Sequence, residues 1–352
     1  MNKLILRLRA VRRVAKDLLA LLMGAGLYAF RRTTPDSAHQ AMIRLFCWSG
    51  GRSNDLITTL IRISNRKATL PRPSGELGVS TGAHAERIAD CIRRDGYYVF
   101  DQRLSADICD RLLDFALHTP ARIRPAKGDP MPADAERLKT IYDRRNPLAV
   151  RYDFDTGDVL NCADVQSIMV NPAVLSVAQS YLNSTPIADV VSMWWHTAFS
   201  DQPDEEAAQF FHFDMDRIKW LKFFIYLTDV GPHNGPHCFV RGSHRTKGIP
   251  AALLSKGYAR LSNEEVSRHY RQDQIVQFVA PRGTVLAEDT RGLHKGLEVR
   301  SGDRLMLQIQ FSNSLFGGIY PRCSFRSMIP RLDHMAHAYP QVYQNYLENS
   351  RF

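Results

Sequence analysis

Residues 212–230 read HFDMDRIKWLKFFIYLTDV, and the periodicity of this stretch decides the fold. If it is extended, alternation sends His212 and Asp214 to one face and Phe211 and Phe213 to the other. Two metal-ligating groups then point together into whatever that face encloses. The apolar run ends in GPHNGPHCFVRGSH (231–244), dense in turn-forming residues. Short apolar segments recur around it: DVVSMWWHTAF (189–199), IVQFVAPRGTVLAED (275–289) and RLMLQIQFS (304–312). Several short strands separated by Gly and Pro turns predict an antiparallel barrel or jelly roll.

Upstream of these strands the pattern is helical. Residues 85–96 form an amphipathic helix that should stop at Asp95-Gly96, and YYVF (97–100) is a short strand. Ser105 should cap a second helix whose buried stripe is Leu112, Leu113, Phe115 and Ala116, and NPAVLSVAQSYLN (171–183) predicts a third. Two more helices precede them, SAHQAMIRLFCWSG (37–50) and SNDLITTLIRISNR (53–66), the latter capped by Ser53 or Asn54. The aperiodic, Pro- and Gly-rich KATLPRPSGELGVSTGAHA (67–85) reads as a linker. The expected organisation is a basic helical extension with its linker over 1–83, a catalytic body over 84–325 and a helical tail over 326–352.

The chain has 352 residues and is 44% apolar, enough for a large core. Its formal charge of +10 is not spread evenly: residues 1–32 hold eight Lys and Arg against Asp17 alone, +7, leaving about +3 for the rest. The body therefore has no nucleic-acid signature. Within this basic segment LLALLMGAGLYAF (18–30) is too short to span a bilayer. Three readings fit it: an interfacial helix on an anionic leaflet, a helix packed on the body, or a signal peptide, although no small-x-small cleavage site follows. Six scattered cysteines without a C-x-x-C pair are expected as reduced thiols. The expected location is cytoplasmic, peripheral to the inner face of the membrane if the interfacial reading holds.

Three ligand-grade residues stand out. His212 and Asp214 share a strand, and GTVLAEDTRGLHKG (283–296) places His294 at a glycine-bounded turn on a later element. Two histidines and one carboxylate with open positions form the facial triad suited to non-haem Fe(II) and oxygen chemistry. Any one of them alone is more often a turn or surface residue. Ten residues on, Arg304 opens a strand whose alternation puts Arg304, Met306, Gln308 and Gln310 on one face and Leu305, Leu307, Ile309 and Phe311 on the other. An arginine inside a barrel needs an anion, and its planar fork matches a carboxylate, either of a ligand or of a structural ion pair.

Other candidates are weaker. His233 and His237 have the spacing of a helical metal pair, but Gly235 and Pro236 between them forbid the helix. His244 suits a turn or pocket mouth, and Trp194, Trp195 and Trp220 suit core or pocket wall. Arg241, His244, Arg245 and Lys247 fit a solvated turn better than an anion site.

Taken together, DGYYVFDQRLSADICDRLLDFAL, the HFD motif, YLTDVGPHNGPHCFVRGSH and LHKG with an arginine ten residues on resemble the phytanoyl-CoA dioxygenase-like (PhyH) family of Fe(II)- and 2-oxoglutarate-dependent oxygenases, over about residues 84–325. The resemblance implies an α+β fold, a double-stranded β-helix (jelly-roll, cupin-like) with flanking helices and here a helical N-terminal extension. It implies that His212, Asp214 and His294 bind iron and that Arg304 holds the distal carboxylate of 2-oxoglutarate, with Lys222 the next candidate. Fe(II), 2-oxoglutarate and O2 are then required, and succinate and CO2 are co-products. Retention of Asp214 favours hydroxylation over halogenation. Two departures, Arg241 and His237, are expected at a surface turn or the substrate mouth. The substrate implied is a small molecule or, given the basic helix, a lipid-linked one. The competing reading is a non-catalytic jelly-roll binding module attached peripherally to a membrane.

Overall fold

The computed structural model describes residues 2–124, 139–200 and 208–348, with side chains from Val11 on. Eleven strands occur among them: β1 (Tyr97–Val99), β2 (Ala121–Arg124), β3 (Lys139–Thr140), β4 (Arg151–Phe154), β5 (Ile187–Thr197), β6 (Trp220–Tyr226), β7 (His237–Val240), β8 (Ile275–Phe278), β9 (Val285–Glu288), β10 (His294–Gly296) and β11 (Asp303–Ser312). All pairings are antiparallel and give an eight-stranded sheet of order β1-β9-β6-β11-β5-β4-β2-β3 and a three-stranded sheet β10-β7-β8. This is the jelly-roll core expected from the short, turn-separated strands.

Five helices come before or between the first strands: α1 (Asn2–Arg31), α2 (Asp36–Ser49), α3 (Arg52–Ser64), α4 (Gly82–Asp95) and α5 (Ala106–His118). Three precede β5, namely α6 (Thr156–Leu160), α7 (Ala163–Met169) and α8 (Pro172–Leu182); α9 (Ala251–Leu254) and α10 (Asn263–Ser267) lie before β8, and α11 (Pro330–Ala338) and α12 (Pro340–Tyr343) near the end. Local chemistry sets several of these boundaries. Gly96 ends α4 at φ 96°, and a Cβ there would lie 2.4 Å from the Phe239 ring, so glycine is required on both counts. Ser105 caps α5 by accepting from the Ile108 N–H, and Asn171 caps α8. At α3 the expected cap fails. The helix starts at Arg52 without a side-chain cap, and Asn54 is buried inside it, donating from Nδ2 to the Ile218 carbonyl at 3.0 Å. A tertiary acceptor outcompetes the local one.

The centre of the large sheet, β6, β9 and β11, is buried throughout because helices cover one face and the small sheet the other. Leu221, Phe223 and Ile225 of β6 and Leu305, Leu307, Ile309 and Phe311 of β11 join the core that α4, α5, α7 and α8 complete. On the opposite face Trp194, Phe224, Leu286 and Met306 meet Phe239 and Phe278 of the small sheet. A separate cluster binds the N-terminal helices to the segment carrying His212: Met42, Leu45 and Phe46 of α2 pack with Phe211, Phe213, Met215 and Ile218, and the Phe46 and Phe213 rings stack at 5.5 Å. His39 of α2 also bonds the Met215 carbonyl at 2.9 Å.

Among the described residues no helix is long and apolar enough to cross a membrane. The six cysteines are all free.

Candidate metal and co-substrate site

His212 and His294 face each other because their backbones pair. The two residues exchange N–H···O bonds of 3.0 and 2.9 Å, an isolated antiparallel bridge at the sheet edge. Asp214 is fixed two residues on, where its N–H donates to the Thr290 carbonyl at 2.7 Å. Thr290 also accepts from the Trp220 indole at 2.8 Å, and Asp289 and Arg291 beside it form a buried ion pair of 2.7 Å, so the turn before His294 is held from several sides. Period-2 alternation places Phe211 and Phe213 in the α2 cluster while His212 and Asp214 line a cavity of about 260 Å³ between the sheets.

One ligand atom from each of His212, Asp214 and His294 can be chosen so that all three lie within 4.8 Å of one another. His212 Nε2 is 3.8 Å from Asp214 Oδ1, and His294 Nε2 is 3.5 Å from Asp214 Oδ2. Each histidine bonds a backbone carbonyl through Nδ1: His212 to Phe210 at 2.9 Å and His294 to Gly292 at 3.0 Å. A carbonyl can only accept, so Nδ1 carries the proton and the Nε2 lone pairs converge on Asp214. This outer arrangement is what metal-ligating histidines require. Burial pushes both imidazoles below their ordinary value, and His294 adds to the effect on His212, so both are neutral donors at neutral pH. Burial alone would raise the Asp214 carboxyl, but the Lys222 ammonium beside it outweighs that and holds it well below the usual carboxylate range. Two neutral imidazoles and one ionised carboxylate, buried on one face, suit a divalent metal such as Fe(II).

Arg304 lines the same cavity and is 1% exposed. Its guanidinium donates to the Gly235 carbonyl and, at 2.6 Å, to His196 Nδ1, while Nε has no hydrogen-bond partner among the described residues. No carboxylate of the described residues forms an ion pair with it, and burial lowers it to about 10. The structural ion pair weighed from the sequence is therefore not what Arg304 makes. Gly296, two residues past His294, gives the guanidinium room: a Cβ there would lie 3.0 Å from Arg304 Nη2. The glycine in LHKG and the arginine ten residues on thus fit one another in space. Met306 and Gln308 follow Arg304 into the cavity as alternation predicts.

Lys222 is differently engaged. Its ammonium sits 2.6 Å from Asp214 Oδ2 and 3.1 Å from Asp216 Oδ2, and it is buried. With its charge already matched by two carboxylates, it has less to offer a second anion than Arg304. Alternation across WLKFFIY groups Lys222 with Phe224, and both line the cavity, a signal available in the sequence.

His237 needs correction. It is neither on a surface turn nor at the mouth: it opens β7, is 6% exposed, lines the cavity and lies with its ring centroid 5.7 Å from that of His294. Its Nε2 bonds Glu288 Oε1 at 3.0 Å, and Glu288 is fully buried. Burial pushes Glu288 up to about 8 and His237 down to about 3, so the pair is uncharged at neutral pH. Sequence reading missed Glu288, although VLAE alternates and Leu286 marks its face. His233 is exposed and forms no site with His237. His244 bonds the Arg93 carbonyl at 3.1 Å and fixes its turn, Trp194 is cavity wall, and Trp195 is core. Arg241 is exposed and donates to the Tyr97 hydroxyl; neither it nor Arg245 nor Lys247 lines the cavity.

Residues 92–306 match the family model described as phytanoyl-CoA dioxygenase (PhyH). Ectoine dioxygenase from Sphingopyxis alaskensis is 27% identical over 222 residues, 59% of this chain and 69% of that protein. The ectoine dioxygenase of Stutzerimonas stutzeri is 29% identical over 170 residues, 46% of this chain and about half, 51%, of its own length. Among solved structures, apo EctD from S. alaskensis covers 67% of this chain and 81% of its own, with a TM-score of 0.46 at 19% identity. HygX from Streptomyces hygroscopicus with nickel and 2-oxoglutarate bound covers 70% and 92%, with a TM-score of 0.47 at 13% identity.

Proposed function

The chain belongs to the phytanoyl-CoA dioxygenase family of non-haem Fe(II)- and 2-oxoglutarate-dependent dioxygenases, and on that premise we propose that His212, Asp214 and His294 hold its iron, that Arg304 holds the distal carboxylate of 2-oxoglutarate, and that the enzyme hydroxylates a C–H bond of a small-molecule or lipid-linked substrate. The observation that carries the reading is the convergence, in one cavity, of a neutral His–carboxylate–His set with a buried arginine that has no carboxylate of its own. When bound, iron, 2-oxoglutarate and O2 supply the oxidation that inserts one oxygen atom into the substrate and releases succinate and CO2.

The protein's own residues bind and orient. The Nδ1–H bonds to Phe210 and Gly292 aim the two Nε2 donors, and Asp214 contributes the single negative charge. Arg304 offers a forked donor in a dry setting, where a charge-assisted bond is strong. Trp194, Phe224 and Met306 form the apolar part of the cavity wall. The Trp194 indole N–H has no hydrogen-bond partner among the described residues, and Gln308 and Ser192 line the same cavity. These groups favour a substrate with polar groups at its reacting end. Residues 1–83, 84–325 and 326–352 serve in this reading as basic extension, oxygenase body and helical tail.

Anaerobic titration of Fe(II) with 2-oxoglutarate tests the site directly. Wild-type protein should develop a weak visible charge-transfer band and form succinate when oxygen is admitted, and a folded His294→Ala variant should do neither. Full band and turnover in that variant would overturn the triad.

A further inference from the structure

The N-terminal helices leave two apolar faces uncovered. Helix α1 packs through a narrow seam, Val14, Asp17, Leu21, Gly24 and Tyr28, spaced alternately three and four residues apart. Gly24 is pressed against Ala38 of α2, where a Cβ would lie 2.2 Å away, Asp17 pairs with Arg44, and Tyr28 meets Phe316 edge-on at 5.6 Å. The seam rules out a helix that merely dangles. It also fixes what faces outward: Leu18, Leu19, Leu22, Met23 and Phe30 are between 47% and 90% exposed. At 100° per residue they spread over roughly 140° of the circumference opposite the seam.

Helix α3 repeats the arrangement. Asn54 and Thr58 are buried and Ile57 and Ile61 face the core, whereas Leu56, Leu60 and Ile63, at i, i+4 and i+7, are 58% to 67% exposed. Both helices pack on α2, whose Trp48 is 67% exposed. Large apolar side chains gathered on the water-facing sides of consecutive helices mark a site of interaction. The net +7 of residues 1–32 identifies the chemistry of the occupant: an anionic surface with an apolar interior, which is a phospholipid leaflet.

We propose that the outward apolar faces of α1 and α3 together seat this protein on an anionic bilayer. The reading deepens the lipid-linked alternative for the substrate and rests on it only in that respect. Arg32, Thr33 and Thr34, directly after α1, line a second cavity that shares Val190 and Tyr320 with the one holding His212 and Asp214. The C-terminal end of α1 therefore lies at a cavity that adjoins the one lined by His212 and Asp214. The attachment is rigid, because α2 stacks Phe46 on Phe213 and α3 bonds Ile218, on either side of Asp214.

Co-sedimentation of the full chain with vesicles tests the proposal, using equal phosphatidylglycerol and phosphatidylcholine against phosphatidylcholine alone. Wild-type protein should bind the anionic vesicles at low salt and be weakened but not released by molar salt, since the apolar contact is not screened. Leu22→Glu/Met23→Glu in α1 and Leu56→Glu/Leu60→Glu in α3 should each lower partitioning by about tenfold or more, since each removes two large apolar side chains from the contact. All four residues are exposed, so thermal unfolding and the Fe(II)–2-oxoglutarate band should stay as in wild type. An α3 pair that sediments like wild type overturns the role of α3, and an α1 pair that does so overturns that of α1. Absence of vesicle binding, with light scattering showing a dimer that these variants dissociate, would make the faces a self-association surface and reject the bilayer. Loss of the Fe(II)–2-oxoglutarate band in the wild-type protein would count against the catalytic assignment and leave the vesicle result untouched.

Discussion

Replacing Arg304 by lysine keeps a positive charge while removing the fork, which makes it the most discriminating change in the site. In the wild-type structure the guanidinium already spends donors on Gly235 and His196 and still has Nε unpartnered. A lysine presents one ammonium at the end of a narrower chain and cannot serve the protein acceptors and a carboxylate in the same geometry. Losing one charge-assisted hydrogen bond costs about 1.5–3 kcal/mol, so 2-oxoglutarate affinity should fall by roughly 10- to 150-fold. A pH signature accompanies the loss. Burial lowers even the arginine to about 10, and a lysine starts from a lower value, about 10.4, so the same burial brings it closer to neutrality. Affinity of the lysine variant should therefore decline further as pH rises above about 8, while that of the wild-type protein stays level. Calorimetric titration of 2-oxoglutarate into anaerobic Co(II)-loaded protein measures both effects, and Co(II) affinity itself should be unchanged because Arg304 bonds none of the three proposed ligands. Wild-type affinity in a folded Arg304→Lys variant would refute the assignment and move the anchor elsewhere.

Gly296→Ala should lower 2-oxoglutarate affinity several-fold, since its Cβ would crowd Arg304 Nη2 at 3.0 Å; the same titration reads it, and Co(II) binding serves as the control. The buried Glu288 is raised to about 8, so between about pH 4.5 and 8 the native state holds a proton that the unfolded state has released, and this group's contribution to stability falls as pH rises through that window. Glu288→Gln should consequently gain melting temperature relative to wild type at pH 8.5 but little at pH 5; equal differences at both would show that Glu288 is not held protonated. His244, lowered to about 4 and buried, works in the opposite direction: the unfolded chain protonates first below about pH 6.5, so stability is lost as pH falls toward 4. His244→Gln should flatten that acid limb in thermal melts. His237→Leu leaves Glu288 buried without its partner and should cost about 1–3 kcal/mol, much of it recovered in a His237→Leu/Glu288→Leu double variant; additive losses in denaturant unfolding would argue against the pair.

Period-2 alternation is a local, steric property of the chain, which is why the sequence alone could assign the faces of RLMLQIQF and place His212 with Asp214 and Phe211 with Phe213. Helix ends at Gly96 and Ser105 were legible for a similar reason: a left-handed cap and a side-chain acceptor act within one turn. The sequence could offer His294 as a third ligand-grade residue beside His212 and Asp214, but not that the two histidines face each other, because 82 positions of chain separate them and only the exchanged backbone bonds of the bridge bring them opposite one another. Partner choice among buried polar groups was out of reach. Lys222 bonds Asp214 and Asp216, His237 bonds Glu288, Arg304 bonds His196, and Asn54 bonds Ile218 instead of capping α3. Each of these joins separate elements, and each is decided by which polar group meets another where water cannot compete. Composition likewise located the charge of α1 but not its seam. That α1 both packs through Gly24 and Leu21 and turns Leu22 and Phe30 to solvent follows from where α2 lies, which no pattern within residues 1–32 encodes.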